Sequence, residues 1–439
     1  MKRLVCLFLI ALFVFAAACG SAPNETKTDP AATAPAETVT VETKETEEKK
    51  HSDQNPEIAH PFDAEELKAI PVATAEMTQD QLRDICVRYM VLQASVVWTP
   101  DFDLSYECTY AATADRDGHL NLPAIRRYGG QPYSSAARDI WALLDHYDPE
   151  TGILYASQYG ASVGTVIGNN CGTACFWGWS RISSTITFSG TRTMCYNRGC
   201  IPLGPYTYDT EKTENFDVIT TQMICDSNGE DTMYESYALL QKASGIAMYN
   251  AGITGHTRMV KENATVVRDG AGKIDPDQSY VVCVEQGSTQ RAETTEENGQ
   301  VFYIGSRDSK YSFRELFNTG YLPFEVPELC GKSAVQKAKA ELISSDQTVA
   351  SISEGTVEAN YCISRVDAIF TDADGKIAYQ TGALGSSNAT DQYKMKISKV
   401  FLLTQLSRRL KKGQSYTLTM TARLGNGETL TFFEGNIQL

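Results

Sequence analysis

The sequence predicts an α+β protein in which helices precede an antiparallel sheet and a β-sandwich follows at the C-terminus. In the first part, apolar residues recur at helical spacing after a capping box at Thr78 and Gln81. After Gly252 the pattern changes to short apolar runs separated by turns. Near the C-terminus, apolar and polar residues alternate from Tyr416 to Arg423, which is the period of a half-buried strand.

The first 20 residues have the order of a secretory signal peptide. Lys2 and Arg3 precede an apolar run, and small residues then lead to Cys19. The run is shorter than the roughly 20 residues that a membrane-spanning helix needs. A cysteine after small residues resembles the lipobox of bacterial lipoproteins, although Ala16 stands where leucine is usual. The resemblance implies that Cys19 is lipidated and anchors the protein at the extracellular face of the cell membrane. The alternative is an ordinary signal peptide.

Four parts of the chain follow from these patterns: a lipoprotein signal peptide at 1–19, a tether at 20–62, an α+β domain at 63–330 and the sandwich at 335–439. From Gly20 to His60 there is no aromatic residue, and Thr, Glu, Lys, Ala and Pro dominate. Such a segment cannot bury enough apolar surface to offset the entropy of ordering, so the tether is predicted to be disordered.

The composition limits the partners. The formal net charge is -15, which argues against nucleic acid and leaves neutral glycans, peptides and proteins as candidates. The twelve cysteines show no strong zinc spacing, so no metal is predicted. Export permits disulfides, and Cys195 with Cys200 is a candidate local bridge.

Further helices and strands are predicted from local patterns. One helix follows Ser134 and Ser135 and ends near Asp148, a second runs from Cys171 toward Ile182, and a third covers 232–244. Strands are predicted at 257–260, 264–268, 279–284 and 361–370, and a hairpin turn at 426–427 joins the last two strands.

A candidate nucleophile lies at the predicted helix start. Cys171 follows a turn made by Gly168, Asn169 and Asn170, so free backbone N–H groups and the helix dipole favour a thiolate there. The same N–H groups could stabilise an oxyanion. Cys175 is the rival nucleophile, one helical turn further on and without these N–H groups.

A candidate base and a candidate orienting group follow later in the chain. His256 lies where a glycine-bearing loop enters a strand, which places an imidazole at the edge of a sheet. Glu285 stands near the end of the next apolar strand and could orient His256, with Gln286 as the substitute. Alternatively, Glu285 is a surface charge at a strand end. His119 is predicted to be a solvated turn residue and His146 to end a helix.

The order cysteine, histidine, polar residue resembles the NlpC/P60 and CHAP group of bacterial cysteine hydrolases. Asn170-Cys171-Gly-Thr is similar to their Asp-Cys-Ser-Gly segment, with asparagine in place of aspartate. Gly255-His256 is similar to their Gly-His opening, and Glu285-Gln286 to the Glu-Gln pair of CHAP domains.

Other parts of the match are looser. Residues 128–133, which end in Gln-Pro-Tyr133, resemble the Gly-x-Pro-Tyr segment that precedes the cysteine in NlpC/P60 domains. The resemblance covers about residues 125 to 290. The gaps from Cys171 to His256 and on to Glu285 are longer than is typical of the group, which puts a standard substrate in doubt.

The resemblance implies a papain-like domain, followed by an Ig-like β-sandwich, and a cysteine peptidase or amidase that cleaves an amide bond in peptidoglycan or another peptide. Cys171 would attack, His256 would carry the proton, and Glu285 would orient His256, without a metal or cofactor. Tyr133 and Asn170 would contact the substrate, although Tyr133 is by default a core or rim residue. Trp177 and Trp179 are expected in the core. The alternative function is a surface binding lipoprotein with an idle cysteine.

Overall fold

Capping signals in the sequence set the start of the first long helix. The computed structural model describes residues 62–108, 119–156, 166–187, 199–208, 219–250, 254–386 and 391–439. The predicted capping box at Thr78 and Gln81 is present in it. The Gln81 amide donates to Thr78 Oγ1 (3.3 Å), and the Thr78 amide donates to the Gln81 side chain (2.8 Å). This helix buries the apolar face that the periodicity predicts.

Helices and strands alternate along the described residues. The helices are α1 (Ala64–Lys68), α2 (Gln79–Gln93), α3 (Ile140–Leu144), α4 (Cys171–Trp179), α5 (Thr221–Asn228), α6 (Glu230–Tyr237), α7 (Phe313–Thr319), α8 (Val349–Glu354) and α9 (Leu403–Arg409). The strands are β1 (Val97–Pro100), β2 (Leu104–Glu107), β3 (His119–Leu122), β4 (Arg127–Gly129), β5 (Ile153–Leu154), β6 (Ile201–Pro202), β7 (Gly245–Asn250), β8 (Thr254–Val260), β9 (Tyr280–Thr295), β10 (Gly299–Ser312), β11 (Leu322–Glu325), β12 (Ala340–Ile343), β13 (Thr356–Ala359), β14 (Ile363–Thr371), β15 (Ile377–Leu384), β16 (Lys394–Lys396), β17 (Ser415–Leu424) and β18 (Thr429–Gln438).

The largest sheet has the strand order β5-β1-β4-β10-β9-β8-β7-β11-β6. Its strands from β10 to β6 pair in antiparallel fashion, whereas β10 with β4 and β1 with β5 are parallel. Strands β2 and β3 form a separate antiparallel pair. The mixed architecture with antiparallel sheets agrees with the predicted α+β class.

Helices α2 and α4 pack against each other, and α4 packs on β8 and β9. Gly178 permits this close approach, because a Cβ atom there would lie 2.7 Å from Met259 Cε and 2.8 Å from Met90 Cγ. A buried ion pair joins α2 to β11, with Arg83 Nη2 2.7 Å from Glu325 Oε1. The packing fixes the position of the α4 N-terminus relative to β8.

Two smaller antiparallel sheets, β12-β13-β16 and β15-β14-β17-β18, lie in the C-terminal part of the chain. Side chains from both sheets and from α8 and α9 share one hydrophobic core, which is separate from the core under the large sheet. The predicted hairpin is confirmed, and the Gly427 amide donates to Leu424 O (2.9 Å) at its turn. The two helices show that this region is not purely β.

Polar contacts join the C-terminal sheets to the segment around α3. Asp145 Oδ2 lies 3.0 Å from Arg365 Nη1 and 3.2 Å from Arg423 Nη2. The Ser364 hydroxyl donates to Asp139. The described residues, from 62 onward, belong to one compact unit. The predicted boundary at 330–335 stays a prediction, and Cys362 from beyond it packs in the core under the large sheet.

Several predicted elements differ in their bounds because side chains cap other positions. Helix α3 begins after Asp139, whose Oδ1 accepts from the Ala142 amide (2.9 Å), and not after Ser134 and Ser135. Helix α6 begins after Gly229 and ends at Tyr237, so the bounds predicted for this helix, 232–244, are wrong at both ends. Residues 264–268 form isolated bridges in place of the predicted strand.

Candidate active site

Cys171 is the first residue of α4, as the sequence predicts. Asn170 caps the helix: its Oδ1 accepts from the Thr173 amide (3.1 Å), and the Asn170 amide donates to Thr173 Oγ1 (2.8 Å). These bonds satisfy the third N–H of the helix, and the earlier N–H groups have no partner within a helix. The helix start can therefore offer hydrogen-bond donors beside the thiol.

His256 lies on β8 directly beside this helix start. The Cys171 side chain is hydrogen-bonded to the imidazole of His256. Cys171 Sγ also lies 3.9 Å from the carbonyl oxygen of Gly255. The His256 side chain is 24% exposed, whereas Cys171 is only 4% exposed. The imidazole therefore borders solvent while the sulfur lies behind it.

Glu285 on β9 holds the other side of the imidazole. Its Oε2 lies 2.7 Å from His256 Nε2, which leaves Nδ1 as the ring nitrogen for Cys171. The same oxygen accepts from Arg258 Nε (2.6 Å), and Glu285 Oε1 accepts from the Tyr311 hydroxyl (2.6 Å). Three donors therefore fix the carboxylate of Glu285, and the predicted cysteine, histidine and glutamate are in contact.

The electrostatics favour charged forms of both partners of the imidazole–carboxylate pair. Burial lowers the pKa of His256, but the interaction and hydrogen bond with Cys171 and the hydrogen bond with Glu285 outweigh burial and raise this pKa to about 9. Burial raises the pKa of Glu285, but the hydrogen bond from His256 and the charge of Arg258 hold it well below its usual range. An imidazolium beside an ionised carboxylate is thus the state of the site at neutral pH.

The rival nucleophile and the substitute orienting group have other environments. Cys175 is fully buried, and burial together with the nearby Cys171 and Cys283 raises the pKa of its thiol well above the usual range. The buried side chain of Gln286 donates from Nε2 to the carbonyl oxygen of Gln131 (2.7 Å). Glu285, and not Gln286, orients His256.

A cavity of about 290 Å³ opens beside His256. Its lining includes the predicted residues Tyr133, His256 and Glu285 together with Met248, Gly255, Arg258, Gly287, Ser288, Thr289, Arg291, Gly305 and Tyr311. Cys171 is not among these lining residues of the described chain. A substrate in the cavity would meet the imidazole before the sulfur.

A large irregular bulge in β9 contributes to the lining of this cavity. In the pairing of β9 with β10, Glu285 lies opposite Ser306 and Gln290 lies opposite Ile304. The four residues 286–289 of β9 are therefore opposite the single residue Gly305 of β10. Gly305 has a φ of 95°, and a Cβ there would lie 2.3 Å from the carbonyl oxygen of Glu285. Only glycine permits β10 to pass so close to the residue that binds His256.

A buried amide network supports the segments that lead to Cys171. Gln93 Nε2 donates to Ala174 O (2.9 Å) in α4, and Gln93 Oε1 accepts from Asn169 Nδ2 (3.1 Å) and Gln131 Nε2 (3.3 Å). These residues are almost inaccessible to solvent. The network was missed in the sequence because glutamine and asparagine carry no local signal for burial.

The remaining predicted residues have mixed outcomes. Tyr133 lines the cavity and pairs through its backbone with Asn169. The Asn170 side chain caps α4, so its contact with substrate stays a prediction. Trp177 and Trp179 lie in the core, as predicted. The prediction for His119 as a turn residue is wrong, because it begins β3.

Other predictions fall partly outside the described residues. Cys19 and the tether at 20–62, except for its last residue, lie outside them, as does Cys195, while Cys200 carries a free thiol. Within the part of the chain that the structure describes, no helix is both long and apolar enough to cross a membrane. In that same part, no three His, Cys, Asp or Glu side chains are grouped so that they could hold a metal ion.

No protein-family model matches the sequence, and no curated protein matches it at a significant level.

Proposed function

We propose that the protein is a cysteine hydrolase that cleaves an amide bond, with Cys171 as nucleophile, His256 as proton carrier and Glu285 as the group that orients His256. One observation carries the proposal: the His256 imidazole is hydrogen-bonded to the Cys171 thiol on one side and lies 2.7 Å from Glu285 on the other. In such an arrangement, the imidazole acts as the base that activates the cysteine thiol, and the carboxylate orients the imidazole.

The proposed reaction has two stages. The Cys171 sulfur attacks the carbonyl carbon of the amide, and backbone N–H groups at the α4 start stabilise the developing oxyanion. His256 gives its proton to the leaving amine as the C–N bond breaks, so that an acyl-enzyme remains. Neutral His256 then takes a proton from water as the water oxygen attacks the thioester; the C–S bond breaks, the acid is released, and the Cys171 thiolate is restored beside the His256 imidazolium. The chemistry needs no metal or cofactor.

The resemblance to NlpC/P60 and CHAP hydrolases supports peptide material of the cell wall as the substrate. On this proposal, the α+β part is papain-like, the C-terminal sheets form an Ig-like sandwich, and lipidated Cys19 anchors the protein at the extracellular face of the membrane. Tyr133 would contact the bound peptide, since it lines the cavity beside His256.

Low exposure of Cys171 favours the second candidate, a binding protein with an idle cysteine. Iodoacetamide labelling separates the two. In the hydrolase, Cys171 should be alkylated at pH 6–7 well before Cys175 and Cys283, whose thiol pKa values burial raises. His256→Ala should slow labelling of Cys171 at that pH by about tenfold or more, because the imidazolium that stabilises the thiolate is lost.

Digestion of purified peptidoglycan tests the reaction itself. Wild-type protein should release fragments with new amino termini that mass spectrometry identifies, and Cys171→Ser and His256→Ala should release none while remaining folded. Cys175→Ala is the matched control and should keep the activity. Glu285→Gln should reduce it less than His256→Ala. Wild-type protein with slow Cys171 labelling and no released fragment would support the binding protein.

A further inference from the structure

Arg258 lies two residues after His256 on β8, so both side chains project from the same face of the strand. Arg258 Nε is 2.6 Å from Glu285 Oε2, the oxygen that also lies 2.7 Å from His256 Nε2. One carboxylate oxygen therefore contacts two cationic groups. The other oxygen is held by the Tyr311 hydroxyl.

Two aromatic rings hold the guanidinium of Arg258. Its central carbon lies 3.9 Å from the ring centre of Tyr311 and 4.4 Å from that of Tyr321. Such cation–π contacts are strongest where the cation is desolvated, and the Arg258 side chain is only 12% exposed. The guanidinium is thus fixed beside Glu285 by contacts that do not involve His256.

This matters because a proton carrier changes its charge during turnover. While His256 is an imidazolium, Glu285 has a cationic partner, but after His256 gives its proton away the buried carboxylate would lose that partner. A buried carboxylate without a cation is costly and tends to take up a proton. Arg258 remains charged at every stage, since its guanidinium does not titrate near neutral pH.

We propose that Arg258 is a positioning residue, held by Tyr311 and Tyr321, that keeps Glu285 ionised and in place while His256 loses and regains its proton. The inference rests on the proposed hydrolase function. It assigns to Arg258 no contact with the reacting atoms: it acts on His256 through Glu285.

The charged and titratable groups around His256 define what should happen when Arg258 is changed. Cys171 and Cys175 face the site from α4, Cys283 and Glu285 from β9, Tyr311 from β10, and Tyr321 from the segment after α7. Arg258 is the neighbour whose positive charge opposes protonation of His256 and lowers its pKa. Loss of that charge should raise the pKa of His256, while Arg258→Lys should keep it near the wild-type value.

The test compares Arg258→Met with Arg258→Lys. NMR titration of His256 should show a higher pKa in the Met variant, and the alkaline limb of the kcat/KM profile should move with it. For peptide hydrolysis, kcat should fall on the order of tenfold or more, as expected for a misplaced catalytic group, with little change in KM. The Lys variant should recover part of this kcat.

Two further variants make the test decisive. In a Glu285→Gln background, Arg258→Met should change kcat little further, because the effect of Arg258 passes through Glu285; this double variant also avoids a buried unpaired carboxylate. Arg268→Met, which removes an arginine outside the cavity lining that pairs with Glu235 and not with Glu285, should leave the pH profile unchanged.

The outcomes separate this inference from the proposed function. An unshifted His256 titration in Arg258→Met, or a raised KM with unchanged kcat, would overturn the positioning role and indicate a structural or substrate-binding arginine. A full effect of Arg258→Met in the Glu285→Gln background would overturn it too. Absence of hydrolysis and of fast Cys171 labelling in the wild type would instead overturn the hydrolase function, while the NMR titration would still report on Arg258.

Discussion

Glu285 approaches His256 to 2.7 Å from a neighbouring strand, across a site in which the imidazole also touches the Cys171 thiol. The contact couples folding to pH through two groups. The pKa of His256 is raised from 6.5 to about 9, and that of Glu285 is lowered from its ordinary 4.5. The two groups therefore affect opposite ends of the pH range.

The first prediction is the pH dependence of stability. The contribution of His256 is fully present below pH 6.5 and is lost as the pH rises through about 9. The contribution of Glu285 is present above pH 4.5 and is lost as the pH falls. The free energy of unfolding should thus lose the His256 contribution as the pH rises from 6.5 to 9, as measured by urea denaturation.

In His256→Gln, the alkaline part of this decrease should be much smaller. His119→Gln, which changes a histidine of β3 outside the cavity, controls for loss of an imidazole elsewhere. A His256→Gln variant with the wild-type slope between pH 6.5 and 9 would show that the raised pKa is not coupled to folding.

The second prediction concerns the buried ion pair between α2 and β11. Arg83→Met should lower the free energy of unfolding by about 3–5 kcal/mol, because Glu325 would remain as a buried charge beside the uncharged Ser244 hydroxyl. Lys68→Met, which removes an exposed ion pair with Glu65, should cost less than about 1 kcal/mol. Equal costs in urea denaturation would contradict the structural role of Arg83.

The third prediction concerns the contact of α4 with α2 and β8. Gly178→Ala should destabilise the protein by about 1–3 kcal/mol, since its Cβ would press on Met90 and Met259. A shift of α4 should also slow iodoacetamide labelling of Cys171. Gly270→Ala is the control, because nothing lies within 4 Å of a Cβ there. If Gly178→Ala is as stable as the control, the side chains of Met90 and Met259 can move aside without cost, and the prediction is wrong.

The fourth prediction concerns the N-terminus. Cys19→Ala should release the protein from the membrane fraction or leave the leader uncleaved, because lipidation at that cysteine would supply the anchor. Cell fractionation and immunoblotting measure this. Wild-type protein that is found wholly in the soluble secreted fraction would end the anchor hypothesis.

Local signals in the sequence predicted parts of the site well. The start of α4 at Cys171 could be predicted because Asn170 and Thr173 carry the capping information within four residues. The strand of His256 followed from its apolar pattern, but the strand end predicted near Glu285 is wrong, because β9 continues to Thr295. The contacts of Cys171, His256 and Glu285 agree with the predicted order of the three residues along the chain.

Features that depend on distant segments could not be predicted in this way. The Arg258 guanidinium is held by Tyr311 and Tyr321, which are more than fifty residues away in sequence. The bulge of β9 depends on Gly305 in a strand that the apolar pattern did not indicate. Capping by Asp139 competed with Ser134 and Ser135, and sequence alone does not decide between such neighbours.

The contacts of Asp145 with Arg365 and Arg423 have a mechanical consequence. Because they join the segment after α3 to β14 and β17, the C-terminal sheets cannot turn on a loose hinge about this point without breaking two ion pairs. A molecule bound to those sheets would therefore keep a constant distance and angle relative to the cavity beside His256. These ion pairs therefore hold β14 and β17 at a set position relative to the segment after α3.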